Sequence, residues 1–363
     1  MLRIGIVGLP NVGKSTVFNA LTKAQAQVAN YPFCTIDPNV GIVPVPDHRL
    51  QKLAEIYKPE KVTPTTIEFV DIAGLVKGAS TGEGLGNQFL GYIKEVDAIL
   101  HVIRCFDDPD VVHVSGGVDP VRDIEVIQTE LCLKDLETVS NRIKKLEKTV
   151  KSRDKEAKIQ FAVTQKAGAL LETGTPIRKG EWTREEFHFL RDLQLITQKP
   201  VLYGANVRET DLPSGGPFVE QVRQIANRDG SKVVVISGKV EAEVGELSEE
   251  EAKLYLKEYG LEESGLNQLI RLGYELLGLN TFLTAGEKEV RAWTVPKGAT
   301  APQAAGVIHS DFERGFIRAE VMRYDDLIKY GSQQAVKEKG LYRIEGKEYI
   351  VQDGDIVYFR FNV

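Results

Sequence analysis

Residues 8–15 read Gly8-Leu9-Pro10-Asn11-Val12-Gly13-Lys14-Ser15, followed by Thr16. The run fits G-x-x-x-x-G-K-[ST], the phosphate-binding loop. Its flanks fit as well. Leu2 to Val7 (Leu-Arg-Ile-Gly-Ile-Val) reads as a buried strand, and Thr16 to Thr22 as the start of a helix. The glycines let the backbone turn so that successive N–H groups converge on phosphate oxygens, and the helix N-terminus adds a favourable dipole. Lys14 supplies a charge-assisted contact to the β- and γ-phosphates, and Ser15 a hydroxyl to Mg²⁺. The stretch predicts a nucleoside triphosphate site.

The chain of 363 residues has room for two or three domains, each with its own core. Its hydrophobic content of 42% and charged content of 27% are those of an ordinary globular protein. A formal net charge of −6 gives no overall basic character that would demand nucleic acid, so a case for RNA rests on local basic stretches. Cys34, Cys105 and Cys132 are widely spaced and form no C-x-x-C pair, which argues against a disulfide framework or a zinc site. With no signal-peptide profile and no apolar run of membrane-spanning length, a cytoplasmic protein is expected.

Beyond the phosphate loop, prolines 32, 38, 44 and 46 make Asn30 to Pro46 turn-rich and exclude a long helix. Ile67 to Val70, Ala98 to Ile103, Pro200 to Ala205 and Lys232 to Ile236 read as further buried strands. Strands alternating with helices imply a doubly wound, mostly parallel sheet with its ligand at the carboxyl ends. The interval from Ile103 to Pro200 is far longer than one crossover helix needs. In it Leu136, Val139, Ile143, Leu146 and Val150 recur at three-and-four spacing, and Ala157, Phe161, Thr164, Gly168 and Leu171 continue beyond a charged bend. This predicts an inserted helical hairpin, a short coiled-coil arm. Thr183 with Glu186 and Ser248 with Glu251 are capping-box candidates. From Asn280 a compact, mostly β unit is expected, with a hairpin at 281–295, a short helix at 302–307 and strands at 319–322, 349–351 and 357–361.

Asp71-Ile72-Ala73-Gly74 ends a strand, where the Asp can hold the shell of Mg²⁺ through water and the Gly N–H can touch the γ-phosphate. Thr35 suits a loop that closes its hydroxyl onto Mg²⁺. Leu75 stands where many related GTPases carry the glutamine that orients the attacking water. A leucine cannot do so, and His113 is the candidate to replace it. After the fourth strand, GTPases read guanine with Asn-Lys-x-Asp; this chain has Asn206-Val207-Arg208-Glu209. The valine and the longer glutamate lean towards adenine, with the Asn206 amide meeting the base and Val207 packing on its ring. Ser237 and Gly238, with Lys239, are placed to cover the other side.

Together Gly-Leu-Pro-Asn-Val-Gly-Lys-Ser, Phe-Cys-Thr-Ile-Asp-Pro-Asn, Val-Asp-Ile-Ala-Gly-Leu-Val-Lys-Gly-Ala and Asn-Val-Arg-Glu make the chain resemble the YchF family of Obg-like ATPases. Thr281-Phe282-Leu283-Thr284-Ala285-Gly286 and Arg291-Ala292-Trp293-Thr294 are similar to that family's TGS domain, a ubiquitin-like β-grasp. The resemblance implies an Obg-type nucleotide domain over 1–257 with a helical insertion over 120–198, a helical linker over 258–278 and a TGS domain over 279–363. It implies ATP preference, Mg²⁺ dependence and ribosome association. Asn11, Val12, Gly13, Lys14, Ser15 and Thr16 carry over as the phosphate site, Ser15 and Thr35 as magnesium ligands, and Val207 as the adenine contact.

The expectation is a monomeric, ATP-preferring P-loop ATPase switch with slow intrinsic hydrolysis. It binds ribosomes, with RNA or protein held in a cleft between the arm and the TGS unit. Lys144, Lys145, Lys148, Lys151, Arg153 and Lys155 make the arm tip the best basic candidate, although a solvated helical face explains those charges equally well. A nucleotide-gated binding module without turnover is the alternative that Leu75 keeps open; a GTPase or a small-molecule P-loop kinase fits less well.

Overall fold

The computed structural model describes residues 2–26, 39–72, 93–108, 116–150 and 155–362. Among them twelve strands form two six-stranded sheets. In chain order they are β1 (Arg3–Val7), β2 (Val40–Pro44), β3 (Lys61–Thr63), β4 (Thr66–Asp71), β5 (Ala98–Arg104), β6 (Val201–Asn206), β7 (Lys232–Ile236), β8 (Leu279–Ala285), β9 (Glu289–Pro296), β10 (Phe316–Arg323), β11 (Arg343–Glu345) and β12 (Asp355–Phe361).

The first sheet has the order β2-β4-β1-β5-β6-β7. The β4-β1, β1-β5, β5-β6 and β6-β7 pairs are all parallel. All seven residues of β5 are buried, as a central strand covered by helices on both faces requires. The edge strand β2 lies in the segment read from sequence as turns. Its pattern Val-Gly-Ile-Val-Pro is a short alternating one, and Pro44 sits at its end, where a missing N–H costs little.

The insertion is a helical hairpin of Pro120–Val150 and Lys155–Glu172, as its periodicity predicts. Val139, Val163, Ala167 and Leu171 bury one seam, continued by Leu190 and Leu195 near the hairpin's root. Asp135, fully buried on the longer helix, ties that root down. It accepts from the N–H groups of Ile196 and Thr197 at 2.9 and 2.7 Å and from the Thr197 hydroxyl at 2.7 Å. Both capping boxes form, at Thr183 with Glu186 and at Ser248 with Glu251.

The second sheet has the order β11-β10-β12-β8-β9-β3. Here β8 and β9 make an antiparallel hairpin, β12 returns parallel to β8, and β10 pairs antiparallel with β12. The helix Ala301–Ile308 lays Ala301, Ala304 and Ala305 on the Phe282 side of the sheet, and their small side chains permit a close approach. This is the β-grasp arrangement. Residues 349–351, expected as a strand, contribute only a single bridge, Ile350 to Thr300. Short helices at Tyr324–Tyr330 and Gln333–Glu338 lie between the strands, in a stretch to which the sequence reading assigns no element.

Chain contacts divide the molecule into Met1–Val43 with Glu68–Gly273, and Pro44–Ile67 with Tyr274–Val363. The sequence reading gave residues 44–67 to the first domain. They instead complete the second: β3 pairs parallel with β9, and Leu50 and Leu53 of the helix His48–Tyr57 pack with Leu283 and Val290. A bidentate contact of Arg49 with Asp47 and a 2.7 Å bridge to Asp353 fix that helix in place. Nothing local in the sequence marks such a long-range strand pairing.

Candidate nucleotide site

In the parallel pair β1-β4, Ile6 lies opposite Asp71, so both strands deliver their C-terminal ends to one place. There the chain leaves β1 through Gly8. A Cβ at Gly8 would come within 2.5 Å of the Val102 carbonyl, so the loop hugs the neighbouring strand only with glycine. Asn11 and Gly13 are in the left-handed region, at φ 62° and 96°. At Gly13 a side chain would also overlap the Asn206 amide. The helix Lys14–Ala26 starts directly after this turn, which leaves its first N–H groups without intrahelical partners and aimed at the loop.

Lys14 is 8% exposed, and its Nζ donates to the Leu9 carbonyl at 2.7 Å. Burial pulls its pKa down, opposed by the charge of Asp71. Burial pushes the Asp71 carboxyl up, opposed by Lys14 and by a hydrogen bond from Ser15. Asp71 Oδ1 is buried and has no hydrogen-bond partner among the described residues. A carboxylate with an unused oxygen beside a serine hydroxyl is a hard-oxygen donor set that fits Mg²⁺. Thr16 is exposed next to Ser15 on the same helix turn.

The opposite wall comes from β6 and β7, paired in parallel with Asn206 opposite Ile236. Asn206 had been expected to meet a base with its amide. In the structure its amide braces the site: Nδ2 donates to the Val12 carbonyl at 3.0 Å and Oδ1 accepts from the Gly238 N–H at 3.1 Å. One side chain thus links the phosphate loop to the loop after β7. The Val207 side chain, expected to lie on the ring, is 2% exposed and packs into the domain, and its N–H is taken by the Ile236 carbonyl at 2.8 Å. A valine following a central strand continues that strand's apolar pattern inward, so any contact with a base runs through its backbone. Ser237 is buried with no hydrogen-bond partner for its Oγ among the described residues, and Gly238 sits against Thr16, where a Cβ would be 3.0 Å from Thr16 Cγ2. Lys239 Nζ donates to Glu209 Oε1 at 2.5 Å, crossing from one loop to the other.

Thr35, Gly74, Leu75 and His113 lie outside the described residues. Of the other histidines, His101 is fully buried beside Tyr203, with its pKa driven down to about 3 by burial and by the charges of Arg178 and Lys14; it is a neutral core residue. The sequence reading passed over Arg104. It is 1% exposed at the end of β5, its Nε donates to the Phe106 carbonyl at 3.0 Å and its guanidinium lies 4.9 Å from the Phe106 ring centre. An arginine closing a strand that is apolar apart from His101 was the available signal, and it holds the carbonyls of Phe106 and Asp108 just beyond the strand.

Residues 279–362 match the family model YchF-GTPase_C, described as "Protein of unknown function (DUF933)", and residues 3–165 match a model described as "50S ribosome-binding GTPase". The chain is 56% identical to the ribosome-binding ATPase YchF of Bacillus subtilis, over 100% of both chains, and 55% identical to that of Haemophilus influenzae, over 99% of both. Among solved structures it is similar to the Schizosaccharomyces pombe YchF GTPase, with TM-score 0.90 and 43% identity over 99% of this chain and 97% of that one. The names of these relatives differ on the nucleotide, ATPase for the two bacterial proteins and GTPase for the Schizosaccharomyces pombe structure.

Proposed function

The chain belongs to the YchF family, and from that premise we propose that it is a Mg²⁺-dependent ATPase switch that prefers ATP to GTP and binds ribosomes from the cytoplasm. The observation that carries the proposal is the buried Lys14 within electrostatic reach of the half-buried Asp71 at the carboxyl ends of adjacent parallel strands, with Asp71 Oδ1 without a hydrogen-bond partner among the described residues. Without a ligand, burial weakens the charge on both groups. An anionic phosphate beside Lys14 and a cation beside Asp71 relieve both penalties at once.

In this reading the N–H groups of the loop and of the helix start bind and orient the phosphate chain, with Asn11 to Thr16 lining it. Lys14 exchanges the Leu9 carbonyl for phosphate oxygens. The Ser15 hydroxyl, Asp71 through water, and Thr35 would hold Mg²⁺. When bound, the cation neutralises charge building on the β- and γ-oxygens. Asn206 keeps the phosphate loop and the base loop in register, so base identity and phosphate position are sensed by one rigid unit. Gly238 and the backbone of Val207 border the base. Leu75 offers no group to position water, which supports slow intrinsic hydrolysis, and His113 is the candidate to supply that role.

Selectivity for ATP is supported by the fourth motif, Asn206-Val207-Arg208-Glu209, which lacks the aspartate that matches the two guanine donors. Phosphate release from ATP and from GTP, each with and without ribosomes, tests the proposal. ATP should be turned over preferentially and ribosomes should accelerate it. Preferential turnover of GTP contradicts the base assignment, and no turnover under any condition contradicts the enzyme.

A further inference from the structure

The loops that leave β6 and β7 begin side by side, because Asn206 and Ile236 are register partners. Three positions on from these partners stand Glu209, half-buried beside the exposed Arg208, and the exposed Lys239, and the side chains of Glu209 and Lys239 meet at 2.5 Å. Glu209 opens a short 3-10 turn, Glu209–Asp211, and its carboxylate also folds back towards its own N–H. Its Oε1 is therefore engaged by Lys239, with a further contact to its own backbone. The two pKa shifts agree on this pairing: Lys239 holds the Glu209 carboxyl below the usual carboxylate range, and Glu209 holds the Lys239 ammonium above its own.

Glu209 occupies the fourth position of the motif, where a free carboxylate would select guanine. Guanine presents two donors on that edge, N1–H and N2–H₂, whereas adenine presents an N1 lone pair that a carboxylate repels. We propose that the Lys239–Glu209 ion pair withholds this carboxylate from the base edge, so that Lys239 is a specificity-determining residue against GTP. The proposal rests on the ATP-preferring reading above and gives it a mechanism. Discrimination comes from an acid that is present but tethered, in addition to the missing lysine at Val207. Lys239 acts through Glu209 and is a positioning residue.

The test uses the full chain with Mg²⁺ and measures Kd for ATP and GTP in the wild type, Lys239→Ala, Lys239→Arg, Glu209→Gln and the Lys239→Ala/Glu209→Gln double variant. A partly exposed pair is a modest lock, so Lys239→Ala should shift the GTP-to-ATP affinity ratio towards GTP by about two- to fivefold. Lys239→Arg, which keeps the pair, should hold the wild-type ratio. In the Glu209→Gln background Lys239→Ala should not move the ratio. A shift in Lys239→Ala that persists in that background overturns the proposal, as does an unmoved ratio in Lys239→Ala. A wild type that binds GTP better than ATP overturns the ATP reading, whatever the variants do. An unmoved ratio beside a wild type that prefers ATP overturns the pair alone.

Discussion

Replacing Glu241 by glutamine should stabilise the nucleotide-binding unit at pH 8 by about 3 kcal/mol while changing little near pH 5. Glu241 lies one turn beyond the loop after β7, is 3% exposed, and accepts from the Gly265 N–H at 2.7 Å, holding the start of the helix Gly265–Leu276. Burial pushes its carboxyl from 4.5 up to about 7, against the opposing hydrogen bonds of Gly265, Leu266 and Ser264. At about 1.4 kcal/mol per pH unit that gap is worth about 3 kcal/mol. The sign follows from proton counting. Between pH 4.5 and 7 the unfolded chain has released this proton and the folded chain keeps it, so stability falls as pH rises through that window and levels off above it. Glutamine keeps the acceptor for Gly265 and cannot ionise. Urea denaturation from pH 5 to 8, followed through Trp182 in a Trp293→Phe background, reads the first unit alone, because the chain's two tryptophans fall one in each unit. A wild-type-to-variant difference that stays flat across this range would refute the reasoning.

Three further outcomes are expected. Asp135→Ala leaves the buried Ile196 and Thr197 donors unmatched and should cost about 3–5 kcal/mol of the first unit's stability, loosening the arm's root, as read by hydrogen exchange at Ile196 and Thr197. Asn206→Ala cuts the link between Val12 and Gly238 and should weaken ATP and GTP binding to the same degree; a selective loss of one nucleotide would argue for direct base contact instead. Asp71→Asn should raise the Mg²⁺ concentration that supports nucleotide binding by about 10–100-fold; an unchanged Mg²⁺ requirement would remove Asp71 from the cation site.

The phosphate loop was legible because its geometry is local. Gly8, Gly13 and the adjoining helix start satisfy constraints that act within a few residues. The same holds for the capping boxes at Thr183 and Ser248 and for the arm's seam, set by helical spacing around Val139 and Ala167. What could not be read depended on partners distant in sequence. Residues 44–67 look like any turn, helix and short strand until β9 is there to pair with β3. The bracing role of Asn206 is not legible in the sequence, because its two partners, Val12 and Gly238, lie 194 and 32 residues away. Motif position says which loop Val207 occupies; that its side chain is buried follows from the packing of the strands behind it.

The most direct test of the account is phosphate release from ATP by the full chain with Mg²⁺, run beside Lys14→Ala. The wild type should release phosphate slowly and more readily from ATP than from GTP, and Lys14→Ala should fall to the uncatalysed background. Undiminished release by Lys14→Ala would mean that the chemistry takes place somewhere other than the loop from Gly8 to Ser15.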